Sequence, residues 1–324
     1  MNHSTFKSFT FGIGLFFTLP LVYGNSSSPS SSDGTLYINK SKTHKVAPVK
    51  YGFHYEEIGM MGEGALHAEL IRNRSFEEAT PPAGLSVKDG LYENVPAPRV
   101  KEKKVFQADP LIGWTTYPLS YTPVFISRTD ENPMSGENKY SMLVNVTEDI
   151  ANHSDALILN RGYYGMNLKT DTSYRLSLFL KNRNYSAPLR VFLVDEWGQR
   201  VSNVIEVNVG NRDWTKYTGE LKPEKNVRRG MFAIQPMSKG QFQMDVVSLF
   251  PSDTWNDGKS VFRKDIVQNL KEFSPSFIRF PGGCIVHGVN EETMYHWKKT
   301  LGPIENRPGQ WSKWAPYYRT DGIG

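Results

Sequence analysis

Residues 174–181, YRLSLFLK, place Tyr174, Leu176, Leu178 and Leu180 at every second position, with Arg175, Ser177 and Lys181 between them. A period of two fits a strand with one buried and one wet face, and it argues against a helix, whose apolar stripe returns every three to four residues. RVFLV (190–194), VIEVNV (204–209) and FQMDVVSLF (242–250) behave similarly, and clusters of Asn, Asp, Gly and Pro separate them. Strands at this spacing, with no convincing helical segment between them, predict an antiparallel β-sandwich across residues 105–251.

The period changes after Asp257-Gly258. SVFRKDIVQNLKEF spaces Phe262, Ile266, Leu270 and Phe273 by four, four and three, which predicts a helix with one apolar stripe and Ser260 as its cap. Pro275 stops that helix, and FIRFPGG (277–283) reads as a buried strand ending in a glycine turn. Helix followed by buried strand is the repeating unit of an α/β barrel or open parallel sheet, and barrels place their chemistry at the C-terminal ends of the strands. Upstream of the sandwich, TLYINKS and KVAPVKYGFHYEEIG read as extended segments. HAELIRNRSFE, through Ala68, Leu70 and Ile71, reads as a short helix or turn against a core. The expected fold class is α/β plus all-β, with the sandwich as an inserted domain.

A chain of 324 residues, 39% hydrophobic and 13% aromatic, can bury one sizeable core or two smaller ones, and the change of period favours two domains. The net charge of +5 is small for this length, and its lysines and arginines are scattered, so nothing calls for a nucleic-acid partner. The densest basic patch, Lys101–Lys104, suits a solvated loop. At the N-terminus, Lys7 precedes the apolar run Phe9–Tyr23 and then Gly24, the order of a secretory signal peptide over residues 1–24. That run is shorter than the ~20 residues a bilayer span needs, so the expectation is a soluble exported protein, secreted or periplasmic, with no membrane span. Residues 25–34, NSSSPSSSDG, read as a polar, disordered linker. Cys284 is the single cysteine, so no internal disulfide can form, and no cluster with metal-ligand spacing is present. Asn145-Val-Thr and Asn184-Tyr-Ser are glycosylation sequons, relevant in a eukaryotic secretory pathway.

Three segments carry a resemblance to a known family: YGFHYEEIGMMGEGALHAELIRNRSFE (51–77), SFIRFPGGCIVHG (276–288), and WKKTLGPIENRPGQWSKW with the terminal TDGIG. In type, order and spacing they resemble the N-terminal portion of α-L-arabinofuranosidases of glycoside hydrolase family 51, the extracellular plant and Bacteroides-like type. The resemblance implies an incomplete (β/α)8 barrel, first strands only, with an antiparallel β-sandwich resembling a carbohydrate-binding module inserted between its first two strands. Residues 35–104 would hold the first strands of the C-terminal-type β-domain and of the barrel. Residues 105–251 would be the sandwich, and 252–324 the barrel helix, the second strand with its PGGC turn and the loop that follows. The implied activity is hydrolysis of terminal non-reducing α-L-arabinofuranosyl groups in arabinoxylan or arabinan by a retaining mechanism. The implied partner is a plant cell-wall polysaccharide or arabino-oligosaccharide, and no cofactor is implied.

Glu56 matches the family's carboxylate that accepts hydrogen bonds from arabinose hydroxyls, a task that suits two charged acceptor oxygens. Gly283, beside Gly282, would let the backbone approach the sugar, because no Cβ intervenes. Cys284 matches a small pocket-lining residue. It is not read as a nucleophile, because the family uses a carboxylate and no histidine is placed to pair with it. Trp297 is a candidate stacking ring; Trp311 and Trp314 share that choice between core and sugar contact. Trp114, Tyr163, Tyr164 and Trp197 of the sandwich could form a sugar platform, although core filling suits most of them. The family's acid/base Asn-Glu and its nucleophile Glu have no counterpart here: Asn290-Glu291 comes too early, and both carboxylates are expected beyond Gly324. Two alternatives stay open, a non-catalytic carbohydrate-binding protein and a hydrolase of another furanosidic specificity.

Overall fold

The computed structural model describes residues 39, 41, 43–45, 49, 51–58, 60–80, 87–89, 91–92, 109–118, 121–150, 156–288, 291, 294–311 and 319–320. The expected signal peptide, the linker, Lys101–Lys104 and Trp314 lie outside them. The chain divides into Met1–Ala47 and Pro48–Gly324. In the first unit, the Ser41 amide and hydroxyl both donate to Asn39 Oδ1, at 3.0 and 2.6 Å. All elements below belong to the second.

Strand β1 (Phe53–His54) is followed by a π-helical turn over Gly62–Leu66 and a small hairpin, β2 (Val87–Lys88) and β3 (Leu91–Tyr92). Eleven strands then follow: β4 (Trp114–Tyr117), β5 (Val124–Thr129), β6 (Ser141–Val146), β7 (Leu157–Asn160), β8 (Met166–Leu168), β9 (Tyr174–Asn182), β10 (Pro188–Val194), β11 (Ile205–Asn208), β12 (Thr215–Leu221), β13 (Val227–Gln235) and β14 (Gly240–Pro251). They make two antiparallel sheets. One has the order β11-β10-β13-β7-β4 with β8 also on β13, and the other has the order β12-β9-β14-β6-β5. Helix α1 (Lys264–Glu272), strand β15 (Ile278–Arg279), the short helix α2 (Cys284–His287), two 3₁₀ turns at Trp297–Thr300 and Ile304–Asn306, and the pair β16 (Gln310–Trp311) and β17 (Arg319–Thr320) complete the chain.

The alternation read in YRLSLFLK holds, because Tyr174, Leu176, Leu178 and Leu180 are all buried between the sheets. Phe242 joins them from the neighbouring strand β14, and Phe232 and Trp114 from the facing sheet, where the Trp114 ring meets Phe232 edge-on at 6.4 Å. In β10 and β14 the alternation fails, since both faces are covered. Phe192 and Val194 pack with Leu157, Leu159 and Met231 in a second cluster, while Gln243 and Asp245 of β14 are fully buried.

Residues 67–80 explain much of the cover on β14. This segment forms no helix; it runs extended and then through bends and turns, with Asn73 and Phe76 at positive φ. Ile71 and Phe76 enter the inter-sheet core. The backbone docks where β14 is bulged between Asp245 and Ser248: Leu70 donates to the Leu249 carbonyl (3.0 Å) and Val247 to the Arg74 carbonyl (3.0 Å). A bulge frees ladder groups that then need partners. Glu69 supplies one, taking the Leu249 and Ile71 amides (2.8 and 3.0 Å) and the Ser248 hydroxyl (2.5 Å). Burial pushes its carboxyl up, while Arg74, 3.7 Å away, opposes that shift. Glu77 does the same just ahead of β6, β14's neighbour in the same sheet, accepting from the Lys139 and Tyr140 amides (2.6 and 3.0 Å) and from Thr80 Oγ1 (2.9 Å). Arg72 binds Glu78 in a fork, and Trp114 Nε1 donates to the Asn73 carbonyl (3.1 Å).

Two expectations for the second half need correction. The helix begins at Lys264, with Arg263 at its N-terminal boundary and no side-chain cap; Ser260 instead accepts from the Phe262 amide at 3.1 Å. None of its residues is fully buried, and Phe273 is 62% exposed. The FIRFPGG strand is likewise exposed, at Phe277, Ile278 and Phe280. Its pattern asks for cover on both faces, and the described residues supply a parallel partner, β1, on one edge.

Candidate active site

The residues of interest gather where β1 and β15 end side by side. The pairs Phe53–Ile278 and His54–Arg279 set a parallel register, and the ladder continues beyond the strands. Tyr55 donates to the Arg279 carbonyl (2.8 Å) and Glu57 to the Pro281 carbonyl (3.0 Å). Successive side chains leave a strand on opposite faces, so Glu56 and Glu57 diverge. Glu57 is buried and accepts the Gly62 amide, which pins the π-helical turn. Glu56 reaches across to the partner strand's end, where its Oε1 accepts the Gly283 amide at 3.1 Å and the Cys284 amide at 3.0 Å.

The glycines are explained by that reach. Gly282 has φ +140, and a Cβ there would lie 2.2 Å from Glu56 Cγ. At Gly283 a Cβ would meet the Arg279 guanidinium at 3.3 Å. His54 Nε2 stands 3.8 Å from Glu56 Oε2. His54 and Arg279 therefore join the site although no motif marked them; their strand register, two residues before Glu56 and four before Gly283, is the signal that could have found them. Two amides hold Oε1, while Oε2 faces the imidazole.

Cys284 is half-buried, and its amide rather than its thiol is engaged with Glu56. Trp297 opens the first 3₁₀ turn, 59% exposed, with the Lys298 ammonium 5.8 Å from its ring centre. Tyr295 lies behind, donating its amide to the Val286 carbonyl (3.1 Å), and its phenol is pushed up by burial and then by Glu63 and Glu57. Tyr55 is pushed up to about 12, chiefly by burial and next by Glu57. Its hydroxyl donates to the Met61 carbonyl at 2.5 Å. Among the described residues no group of three or more His, Cys, Asp or Glu side chains is placed to hold a metal, and no helix is long and apolar enough to cross a membrane. Of the sandwich aromatics, Trp114 is core, whereas Trp197 and Tyr164 are 73% and 82% exposed.

This mostly-sheet chain finds its likenesses among proteins named as glycoside hydrolases. Specifically, this chain resembles the N-terminal portion of the family 51 α-L-arabinofuranosidases. Residues 269–324 match the α-L-arabinofuranosidase 1 domain family. α-L-Arabinofuranosidase 1 of Arabidopsis thaliana is 28% identical over 279 residues, covering 85% of this chain and 37% of the relative. A probable α-L-arabinofuranosidase A of Aspergillus flavus is 26% identical over 321 residues, covering 96% and 43%. An extracellular exo-α-L-arabinofuranosidase of Streptomyces chartreusis is 26% identical over 287 residues, covering 85% and 30%. Among solved structures, an arabinose-bound family 51 α-L-arabinofuranosidase superposes with a TM-score of 0.70 at 25% identity, over 88% of this chain and 42% of that one. The chain thus spans less than half the length of these relatives.

Proposed function

We propose that this chain forms the arabinose-holding side of an α-L-arabinofuranosidase, which releases terminal non-reducing α-L-arabinofuranosyl groups from arabinoxylan or arabinan with retention. The clamp on Glu56 carries the reading. A carboxylate fixed by two backbone amides, beside a glycine turn with room for close approach, is preorganised to accept sugar hydroxyls. In this reading β1 and β15 are the first two strands of a (β/α)8 barrel, and β4–β14 are a carbohydrate-binding-module-like insertion. Gly283, Cys284 and Trp297 border the sugar with Glu56. Retaining hydrolysis takes a general acid and a nucleophilic carboxylate ~5 Å apart, and the proposal assigns neither role to a residue of this chain. Export by the N-terminal segment would bring the protein to its polymer.

The test is the intact mass of the native protein measured alongside turnover of a chromogenic α-L-arabinofuranoside. Release of arabinose by a species well above 36.8 kDa supports the reading. Turnover by this chain alone at that mass would overturn the assignment of both carboxylates elsewhere. An absence of turnover at any mass would overturn the activity itself.

A further inference from the structure

The segment that carries Trp297 is tied in two places, one at the Glu56 site and the other on the sandwich. At its start the Tyr295 amide donates to the Val286 carbonyl (3.1 Å) of α2, the helix whose first amide, that of Cys284, is held by Glu56. His296 and Gln310 then close the segment on itself. The His296 amide donates to Gln310 Oε1 (2.9 Å), and Gln310 Nε2 donates to the His296 carbonyl (3.1 Å). Between these two residues lie Trp297, next to the clasp, and the second 3₁₀ turn, Ile304–Asn306.

That second turn rests on the sandwich. Glu305 offers its backbone carbonyl to two side chains of the connection between β5 and β6: Ser135 Oγ donates to it at 3.0 Å, and Asn138 Nδ2 donates to the same oxygen. Both donors are preset. The Ser135 hydroxyl accepts the Glu137 and Asn138 amides (3.2 and 3.0 Å), which occupies its two lone pairs and leaves its single proton for Glu305. Asn138 is 3% exposed, and a buried donor is costly to leave without its acceptor. The connection is itself held to the sheet, by Trp214 Nε1 on the Asn132 carbonyl (3.0 Å) and by Gln243 Nε2 on the Glu131 carbonyl (2.8 Å). The sandwich therefore fixes one carbonyl of the segment that presents Trp297.

We propose that Ser135 and Asn138 are positioning residues for the sugar site: through Glu305 they pin the segment so that the Trp297 ring is held ready to stack on the substrate. The role of Trp297 rests on the arabinofuranosidase reading. The experiment measures KM and kcat for a chromogenic α-L-arabinofuranoside with the native active protein, alongside the rate of tryptic nicking after Lys298 and Lys299, both exposed. Ser135→Ala, and the double variant that adds Asn138→Ala, should raise KM roughly three- to tenfold with kcat little changed. Ser135→Thr, which keeps the hydroxyl, should leave both constants as they are. Trp297→Ala should raise KM comparably, and combining it with the double variant should raise KM no further, a coupling that general destabilisation does not produce. Nicking should be several-fold faster in the double variant. An unchanged KM in the double variant, increases in KM that multiply with that of Trp297→Ala, or an unchanged nicking rate would each overturn the proposal. Failure of the arabinofuranosidase reading would show differently, as absent turnover in the unsubstituted protein, and the nicking rate would still decide whether the sandwich pins the segment.

Discussion

Gly282 leaves the space that Glu56 fills: a Cβ on the glycine would sit 2.2 Å from the glutamate's Cγ, so one of the two would have to move. Gly282→Ala should therefore expel the carboxylate from its two amides and strain a backbone at φ +140. The expected cost is roughly 2 kcal/mol or more, read as a lowered urea midpoint, together with loss of arabinofuranoside hydrolysis in the active preparation. An alanine variant with unchanged midpoint and turnover would show that the turn can relax.

Glu56 can be dissected further. Glu56→Gln keeps an oxygen to accept from Gly283 and Cys284, so the melting temperature should move little while sugar affinity falls through loss of charge. Glu56→Ala leaves two amides unserved and should cost about 1–3 kcal/mol as well. If the two variants melt together and bind alike, the clamp has no separate structural role.

Glu77 is 2% exposed and accepts two backbone amides and a hydroxyl. Glu77→Ala should destabilise the fold by about 2–4 kcal/mol by leaving buried donors without an acceptor, measured by denaturant titration at neutral pH. A loss below about 0.5 kcal/mol would mean that water replaces the carboxylate.

His67 packs edge-on against Phe250 at 5.2 Å, and burial, then Arg74 and Arg307, bring its imidazole down to about 3. The unfolded chain protonates near 6.5 and the folded one does not, so stability is full above 6.5 and falls by about 1.4 kcal/mol per pH unit between there and about 3. Glu69, pushed up by burial, works in the opposite sense, so the readout is a difference. Between pH 7 and pH 5, His67→Gln should lose less stability than the wild-type chain. Parallel losses would remove His67 as the cause.

Legibility in the sequence followed how local each cause was. The buried alternation of Tyr174 through Leu180 was readable because one strand alone dictates which face is wet. Glu56, Gly283 and Cys284 were readable through a motif, and the structure brings those three into direct hydrogen-bonded contact. His54 and Arg279 were not, since only the parallel register of two segments more than two hundred positions apart brings them in. Residues 67–77 were legible only as a short helix or turn against a core; bends and turns are what form, with Ala68 and Ile71 buried, and their partner, the bulged part of β14, is invisible from the local pattern. Phe277 through Phe280 show the converse, a run whose apolar composition forecasts burial that depends entirely on neighbours.

Phe76, seated in the inter-sheet core from a point on the chain ahead of every strand there, means that the sandwich cannot be lifted out as a cassette. A graft cut at residue 105 would leave behind the ring that Trp114 leans on at 5.5 Å and the Glu69 and Glu77 carboxylates, which take backbone amides of β14 and of the approach to β6. Exchange of such a module between proteins would have to carry residues 67–80 along. The same covalent stretch runs back to Glu56, so the sandwich and the end of β1 are tied through one continuous backbone segment.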